Sequence, residues 1–440
     1  MSDPTRSRVS ILTFGCRVNQ YESEMMRRVL LDGRMEVVDS NADVYLLNAC
    51  TVTALAERKA RQAARRLRAT HPEARIVLVG CLADAVERGL TRFAEADLLA
   101  GNAWKTRVAD VVAAAQQGRR GFLPRPAPAA LDAERAGPPA NRVRAYLKVQ
   151  DGCSHACTYC RPTLVRGPSR SKSADAAFAE AAALVAAGVP ELVVTGVDLA
   201  DYGGRDRALP PLLLRLLELR NLRRLRLGSL NIDGVDDALL SVFRRDDRLC
   251  RHFHLPAQSG DDAILAAMGR PYTAAAYRDV VSRVRDNLPD ATFGTDLIVG
   301  FPGESPDALE RTCRLIEDVR FSNLHVFRYS PRPGTPAAAL AGVVPVEVGR
   351  RRAERVADAW RPVREQLLDG RRGRVEDVLV EERAGRQHCG YTSDYLRVTF
   401  DASVPCSIGM EHPVRITRAL PDGLEGVSDD RDDSDRTHLA

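Results

Sequence analysis

Through residues 1–369, short aliphatic and β-branched runs alternate with helix-length amphipathic stretches, a pattern that predicts parallel strands buried between helices. Val9 to Phe14, Val44 to Leu47 and Ile76 to Val79 are the first three such strands. Between the second and the third, Ala54 to Ala69 reads as a helix. Its Ala56, Ala60, Ala63 and Leu67 form an apolar stripe, and Arg58, Arg61, Arg65 and Arg68 fall on another face. That basic face is either a solvated surface or a phosphate contact, and it carries no interleaved aromatic residues on which bases would stack.

From Gln116 to Asn141 the periodicity stops in a Pro- and Ala-rich stretch that reads as a linker. Strand-like runs resume at Ala145 to Val149, Glu191 to Thr195, Leu225 to Leu227, Phe253 to Leu255, Gly294 to Val299 and Leu324 to Tyr329. Helical stretches such as Ser173 to Ala187 and Pro306 to Val319 separate them. Six such units predict an open, partial α/β barrel. After an Arg-rich helix over Val348 to Leu368, the period changes. Val378 to Val380, Tyr395 to Phe400 and His412 to Thr417 alternate in steps of two between turn residues, as in a small antiparallel barrel. The fold class is thus α/β multidomain. A Rossmann-like parallel α/β domain is expected over 1–115, a linker over 116–141, a partial (β/α)6 barrel over 142–369, a small β-barrel over 370–427 and a disordered acidic tail over 428–440.

Composition leaves this picture intact. A chain of 440 residues with 45% hydrophobic and 28% charged residues is ordinary for a soluble globular protein of about three domains. Met1 to Arg8 is polar, and no apolar run reaches the ~18 residues of a membrane span, so no membrane contact and a cytoplasmic location are expected. The formal charge is +5, although the tail holds five aspartates against two arginines. The resulting excess elsewhere is compatible with a polyanionic partner without requiring one.

Cysteines change the picture most. Ten of them without a secretion signal point to ligands or catalytic thiols rather than a disulfide framework. Cys153, Cys157 and Cys160 are spaced four and three apart, directly after the first barrel strand, and no fourth cysteine follows nearby. Three thiolates so placed hold three corners of an iron-sulfur cube and leave one iron open for a ligand. Structural zinc is the alternative, but it takes four closed ligands, and His155 sits inside the run rather than at a later paired spacing. Cys16, Cys50 and Cys81 each lie just past the carboxyl end of one of the first three strands, on the rim where open parallel sheets bind ligands. They form either a second set of three cluster ligands or three buried core thiols. Cys250, Cys313, Cys389 and Cys406 have no ligand-like spacing and read as packing thiols.

The run Asp151 to Cys160 resembles the signature of radical S-adenosylmethionine (SAM) enzymes, and the order of parts resembles the methylthiotransferase family within them. Thr13-Phe-Gly-Cys-Arg-Val-Asn-Gln-Tyr-Glu-Ser-Glu24, Asn48-Ala-Cys-Thr-Val-Thr53 and Val79-Gly-Cys81 are similar to that family's N-terminal cluster domain, and Arg166-Gly-Pro-Ser-Arg-Ser171 to the segment after the radical cluster. Leu255-Pro-Ala-Gln-Ser-Gly260, Arg270-Pro-Tyr-Thr273, Gly294 to Glu304 and Tyr329 to Pro336 extend the likeness along the barrel, and the last module resembles the RNA-binding TRAM barrel. Around Cys16 the sequence is most similar to the branch acting on N6-threonylcarbamoyladenosine beside the tRNA anticodon.

The resemblance implies two 4Fe-4S clusters, on Cys153, Cys157 and Cys160 and on Cys16, Cys50 and Cys81. The open iron of the first would chelate SAM, which one electron then cleaves to a deoxyadenosyl radical. A second SAM would methylate sulfur on the other cluster, and methylthio would enter C2 of the adenine at position 37 of tRNA. The implied partners are a tRNA anticodon stem-loop, a low-potential electron donor and a sulfur donor. Candidate SAM contacts are Thr195 and Gly196 at a strand end, Ser229, Gln258 and Asp296 on the same rim, and Arg270, whose planar fork suits a carboxylate; each alternatively is an ordinary loop or capping residue. The chain departs from the family pattern at Arg161-Pro162-Thr163 and at Asn231, where a glutamate or other polar partner is often expected. The alternative substrates are isopentenyladenosine in tRNA and an aspartate of a ribosomal protein. A non-catalytic iron-sulfur RNA-binding protein is the alternative class.

Overall fold

The computed structural model describes residues 7–140, 142–402 and 406–429. The acidic tail expected from the sequence lies, from residue 430 onward, outside the described residues. Six parallel strands form the first sheet: β1 (Arg8–Phe14), β2 (Glu36–Val37), β3 (Val44–Ala49), β4 (Arg75–Val79), β5 (Leu98–Ala100) and β6 (Gly121–Phe122), in the order β2-β1-β3-β4-β5-β6. Alternation decides which side chains go where. Val44, Leu46, Val77 and Val79 pack under helices α1 (Arg17–Asp32) and α4 (Val108–Gln116). Leu47, Ala49, Ile76 and Leu78 pack under α2 (Ala54–Thr70) and α3 (Cys81–Glu87) on the other face. β3 is buried over its whole length, as expected of a central strand covered on both sides.

The Pro- and Ala-rich stretch is not a loose tether. Gly121–Phe122 adds the sixth strand, and Leu123 and Ala136 sit in the core beneath α1 and α4. A few apolar anchors suffice to dock a segment whose composition reads as a spacer.

The partial barrel is two three-stranded parallel sheets in series. β7 (Arg144–Lys148) leads in, and β8 (Gln150–Asp151) pairs antiparallel with β9 (Arg170–Ser171) to pinch off the loop that carries Cys153, Cys157 and Cys160. β10 (Glu191–Thr195) and β11 (Arg224–Leu227) complete the order β11-β10-β7, while β12 (His252–His254), β13 (Thr292–Val299) and β14 (Asn323–Arg328) make the order β12-β13-β14. Bridges Leu225–Leu249 and Ser229–His254 join the halves. Side chains such as Leu225, Phe253, Phe293 and Leu297 face outward into the main core under the helices, so the alternate positions face the barrel interior.

The last module is a closed barrel of β15 (Val375–Ala384), β16 (Gln387–Tyr391), β17 (Arg397–Asp401), β18 (Glu411–Leu420) and β19 (Gly423–Ser428). Its pairs are antiparallel except β17 with β19, which run parallel. Its Thr392–Leu396 turn plugs the amino end of the partial barrel. Arg144, Glu191, Arg224, His252 and Thr292 are the first residues of their strands, and all meet or flank this plug. Arg224 donates to the Tyr391 and Asp377 carbonyls at 2.8 and 2.7 Å, and Arg226 donates to the Ser393 carbonyl at 2.8 Å. Thr292 donates to the Asp394 carbonyl at 3.1 Å, and His252 stacks on Tyr395. Arg144, Arg224 and Arg226 close this floor, which leaves the carboxyl-end rim as the open face. No helix among the described residues is long and apolar enough to cross a membrane.

Candidate functional site

Cys16, Cys50 and Cys81 follow β1, β3 and β4, three neighbouring strands, so the parallel order brings them to one rim. Cys16 and Cys50 are hydrogen-bond neighbours, and this contact holds the Cys16 thiol below its ordinary range while burial pushes Cys81 up. Asn19 and Asn102 reach the sulfurs of Cys16 and Cys81 at 3.2 and 3.6 Å. Two glycines make the close approach possible. Gly15 has φ +152°, and a Cβ there would stand 2.5 Å from the Cys50 Cβ; at Gly80, φ +89°, it would meet the Lys105 ammonium at 2.7 Å. Gly15→Ala is therefore expected to cost about 1–3 kcal/mol in strain, read by thermal unfolding.

The second trio is held by its own loop. Cys153 N–H donates to the Gly167 carbonyl at 3.1 Å, Cys160 N–H to the Cys157 carbonyl at 3.1 Å, and Thr158 is tied to Met268 and Ala267 at 2.9 and 2.8 Å. Arg270 donates to the Cys157 sulfur at 3.4 Å. Burial, together with Asp198 and the neighbouring thiols, pushes Cys153 up to about 12, and burial pushes Cys160 up to about 11. Thiols so crowded resist ionising together unless a cationic centre sits among them, which suits iron ligation.

Neither trio has all three sulfurs gathered as a single zinc would hold them, although Cys16 and Cys50 are in contact. A single tetrahedral zinc with bonds of about 2.3 Å gathers its sulfurs within ~4 Å of each other. Among the described residues the only His, Cys, Asp and Glu group whose ligand atoms lie within 4.8 Å is His254, Asp296 and His325, so neither cysteine trio is that tight. His155, the remaining candidate for zinc, instead pairs through Nε2 with Asp198 at 2.9 Å.

One short helix connects the trios. α5 (Pro162–Arg166) starts two residues after Cys160, and its Val165 packs on Cys81, Ala85 and Leu90. At its end Arg166 grips Glu22 through two donors at 2.8 and 3.1 Å and Asp151 at 2.8 Å, with its charge acting on Cys16 and Cys81. Lys105 bonds Glu22, and Lys148 reaches Glu22, Glu134 and Asp151 at 3.4, 2.5 and 3.2 Å. Burial alone would raise the Glu22 and Asp151 carboxyls, but these cations hold both well below the usual carboxylate range. Arg161, the departure from the family pattern, turns into the seam with the first domain. It donates to the Leu90 carbonyl at 2.7 Å beside Glu57, which Arg332 also pairs at 2.6 Å.

The six candidate SAM contacts stand as follows. Thr195 ends β10 with its side chain buried, and Gly196 lies against Gln150, whose Oε1 accepts from the Val197 and Asp198 N–H groups at 2.8 Å each. Ser229 bonds His254 at 3.0 Å, and Asp296 meets His254 and His325 at 3.3 and 3.1 Å. Gln258, with φ +66°, bridges to Leu297 beside Asp296. Arg270 is already engaged by Tyr272 at 2.9 Å and by Asn231 at 2.6 Å, so Asn231 serves as its polar partner and orients it. Sequence reasoning singled out none of Glu22, Gln150, Arg166, Asp198 or His325 individually; Glu22 and Arg166 lay inside quoted motifs but carried no periodic signal.

The basic face of α2 needs correction. Arg61 and Arg65 pair with Glu95 at 3.2 and 2.8 Å, and Arg68 with Asp97 at 2.6 Å, so three of its four arginines fasten their own domain. The buried stripe is Glu57, Ala60 and Ala64 rather than one running through Ala56 and Ala63.

Residues 8–101 match the family described as uncharacterized protein family UPF0004, and residues 147–316 match the radical SAM superfamily. The threonylcarbamoyladenosine tRNA methylthiotransferase MtaB of Thermotoga maritima is 35% identical over 94% of this chain and 96% of its own. Its namesake in Bacillus subtilis is 30% identical over 93% and 94%. A tRNA-2-methylthio-N(6)-dimethylallyladenosine synthase of Syntrophobacter fumaroxidans is 34% identical over 94% of each chain. Among solved structures, the radical SAM methyltransferase TsrM of Kitasatospora setae superposes with a TM-score of 0.58 over 76% of this chain and 75% of that one, at 14% identity, a likeness of fold alone.

Proposed function

We propose, from the premise that this chain belongs to the radical SAM methylthiotransferase family and is a radical SAM tRNA methylthiotransferase, that it methylthiolates C2 of N6-threonylcarbamoyladenosine at position 37 of tRNA, with two 4Fe-4S clusters. The observation that carries the two-cluster reading is the meeting of the two cysteine trios at one short helix: α5 begins two residues after Cys160 and packs its Val165 on Cys81. The branch is supported by the run Gly15 to Ser23 around the first cysteine and by relatives of that name along nearly the whole chain.

In this reading Cys153, Cys157 and Cys160 hold the cluster that binds SAM, and Cys16, Cys50 and Cys81 hold the other. When bound, clusters and SAM supply the one-electron cleavage and the methyl and sulfur to be transferred, drawing on a low-potential electron donor and a sulfur donor in the cytoplasm. Arg270, fixed by Asn231 and Tyr272 beside Cys157, positions the SAM carboxylate. Thr195, Gly196, Ser229, Gln258 and Asp296 contribute the polar rim around it. The plugged amino end directs RNA to the opposite mouth and keeps water from entering through the floor.

Nucleoside mass spectrometry of tRNA from cells lacking the protein tests the substrate. Loss of 2-methylthio-threonylcarbamoyladenosine, with its unmethylthiolated precursor accumulating, is the expected result. Persistence of that nucleoside rejects the substrate, and loss of the isopentenyl counterpart instead would assign the other tRNA branch.

A further inference from the structure

A chain of four polar side chains crosses the interior of the partial barrel outside both cysteine trios. The β13–β14 register sets Asp296 directly beside His325, and His254 ends the neighbouring strand β12. Asp296 Oδ1 accepts from His254 Nε2 at 3.3 Å and from His325 Nδ1 at 3.1 Å, while Ser229 Oγ meets the other nitrogen of His254 at 3.0 Å. The side chains open progressively towards solvent: His254 is 7% exposed, Asp296 26% and His325 62%. With Nδ1 fixed by the carboxylate, the His325 ring presents Nε2 to the open side. β14 is an edge strand, and among the described residues no further strand covers that side.

The next inward position on β14 is Phe327. Its ring is 40% exposed and lies edge-on to His325 at 6.5 Å between centroids. An exposed aromatic ring inside a barrel mouth, next to a histidine backed by a half-buried carboxylate, is a surface shaped for a ligand with an apolar body and an anionic end.

We propose that His325, held by Asp296 and backed by His254 and Ser229, recognises the carboxylate of the substrate's N6 substituent, with Phe327 as the apolar wall beside it. This rests on the threonylcarbamoyladenosine reading, because isopentenyladenosine carries no carboxylate. His325 standing between two carboxylates, one from Asp296 and one from the RNA, keeps the incoming anion from meeting Asp296 directly. A hydrogen bond to a charged group is worth about 1.5–3 kcal/mol, hence roughly ten- to a hundredfold in discrimination. His325 is in this account a specificity residue; it takes part in no bond change.

The test uses the reconstituted holoenzyme with two anticodon stem-loops, one bearing threonylcarbamoyladenosine and one bearing its carboxamide. Wild type is expected to prefer the carboxylate. His325→Ala and His325→Gln should each reduce that preference roughly ten- to a hundredfold, mainly through KM on the carboxylate substrate, and His325→Arg should restore part of it. Glutamine keeps a donor for Asp296, so a merely structural role would leave the preference of that variant intact. Equal losses on both substrates would overturn the proposal, as would a wild type without preference. So would a stoichiometric metal ion that His254 and His325 hold and His325→Ala releases. A wild type that does not modify threonylcarbamoyladenosine at all rejects the substrate reading and this inference together. A wild type that does, with a preference unmoved by His325, rejects the inference alone.

Discussion

Replacing Cys157 by alanine is expected to lower the iron of the anaerobically reconstituted protein from about eight to about four per chain and to end deoxyadenosine release from SAM. Replacing Cys50 should remove the other four or so irons, leave deoxyadenosine release running and end methylthiolation. The asymmetry follows from the positions. Cys157 lies in the loop pinched off by β8 and β9 at the barrel mouth and is touched by Arg270, the residue proposed to position SAM. Cys50 lies at the end of β3 in the other domain, where its neighbours are Cys16 and the Val52 N–H at 3.3 Å. With only three thiolates for each cube, no spare ligand stands ready to replace the one removed. Iron counting and deoxyadenosine chromatography on the same samples decide the matter. Loss of all iron in either variant would mean one shared cluster, and deoxyadenosine release surviving in Cys157→Ala would take the radical chemistry away from that loop.

The two trios differ in how they were legible. Cys153, Cys157 and Cys160 are a local spacing, readable without any fold. Cys16, Cys50 and Cys81 are separated by more than thirty residues each and became readable only because each ends a strand of the same parallel sheet, which converts sequence distance into a common rim. That reasoning worked because the strands are built on short aliphatic and β-branched runs; Glu191–Thr195 matched to the residue. It failed where order depends on few apolar anchors, as at Leu123 and Ala136 in the supposed linker. It failed again where a charged face is answered by distant partners. Glu95 and Asp97 lie some thirty residues from the arginines they bind, and nothing in the helix itself announces them. Thr392–Leu396 plugging the barrel floor, and His325 across from Asp296, are likewise products of tertiary register that no periodicity records.

Glu22→Gln is expected to destabilise the protein by about 3–5 kcal/mol, the scale of removing one partner from a buried ion network. Glu22 sits 2% exposed on α1 and is shared by Lys105 from the first domain and by Lys148 and Arg166 from the barrel side. The buried set is balanced: Glu22, Glu134 and Asp151 face Lys105, Lys148 and Arg166. Glutamine keeps the volume and removes one negative charge, so three cations face two anions away from water. Because this network joins α1 to the loop that carries Cys153, Cys157 and Cys160, the loss should appear first at the seam. Hydrogen exchange should rise in α1 and over residues 144–170 before it rises in β3, and the urea midpoint should fall. Acid has a related effect on the wild type. The folded Glu22 carboxyl lies well below its ordinary 4.5, so its contribution is complete above about that pH and is lost as the pH falls from there towards the depressed value. The variant has no such contribution to lose, and its stability should vary less over that window. A variant as stable as wild type, with the same acid dependence, would mean that the network is dispensable and that the domains are joined by apolar contacts such as Val165 on Cys81 and Leu90 alone.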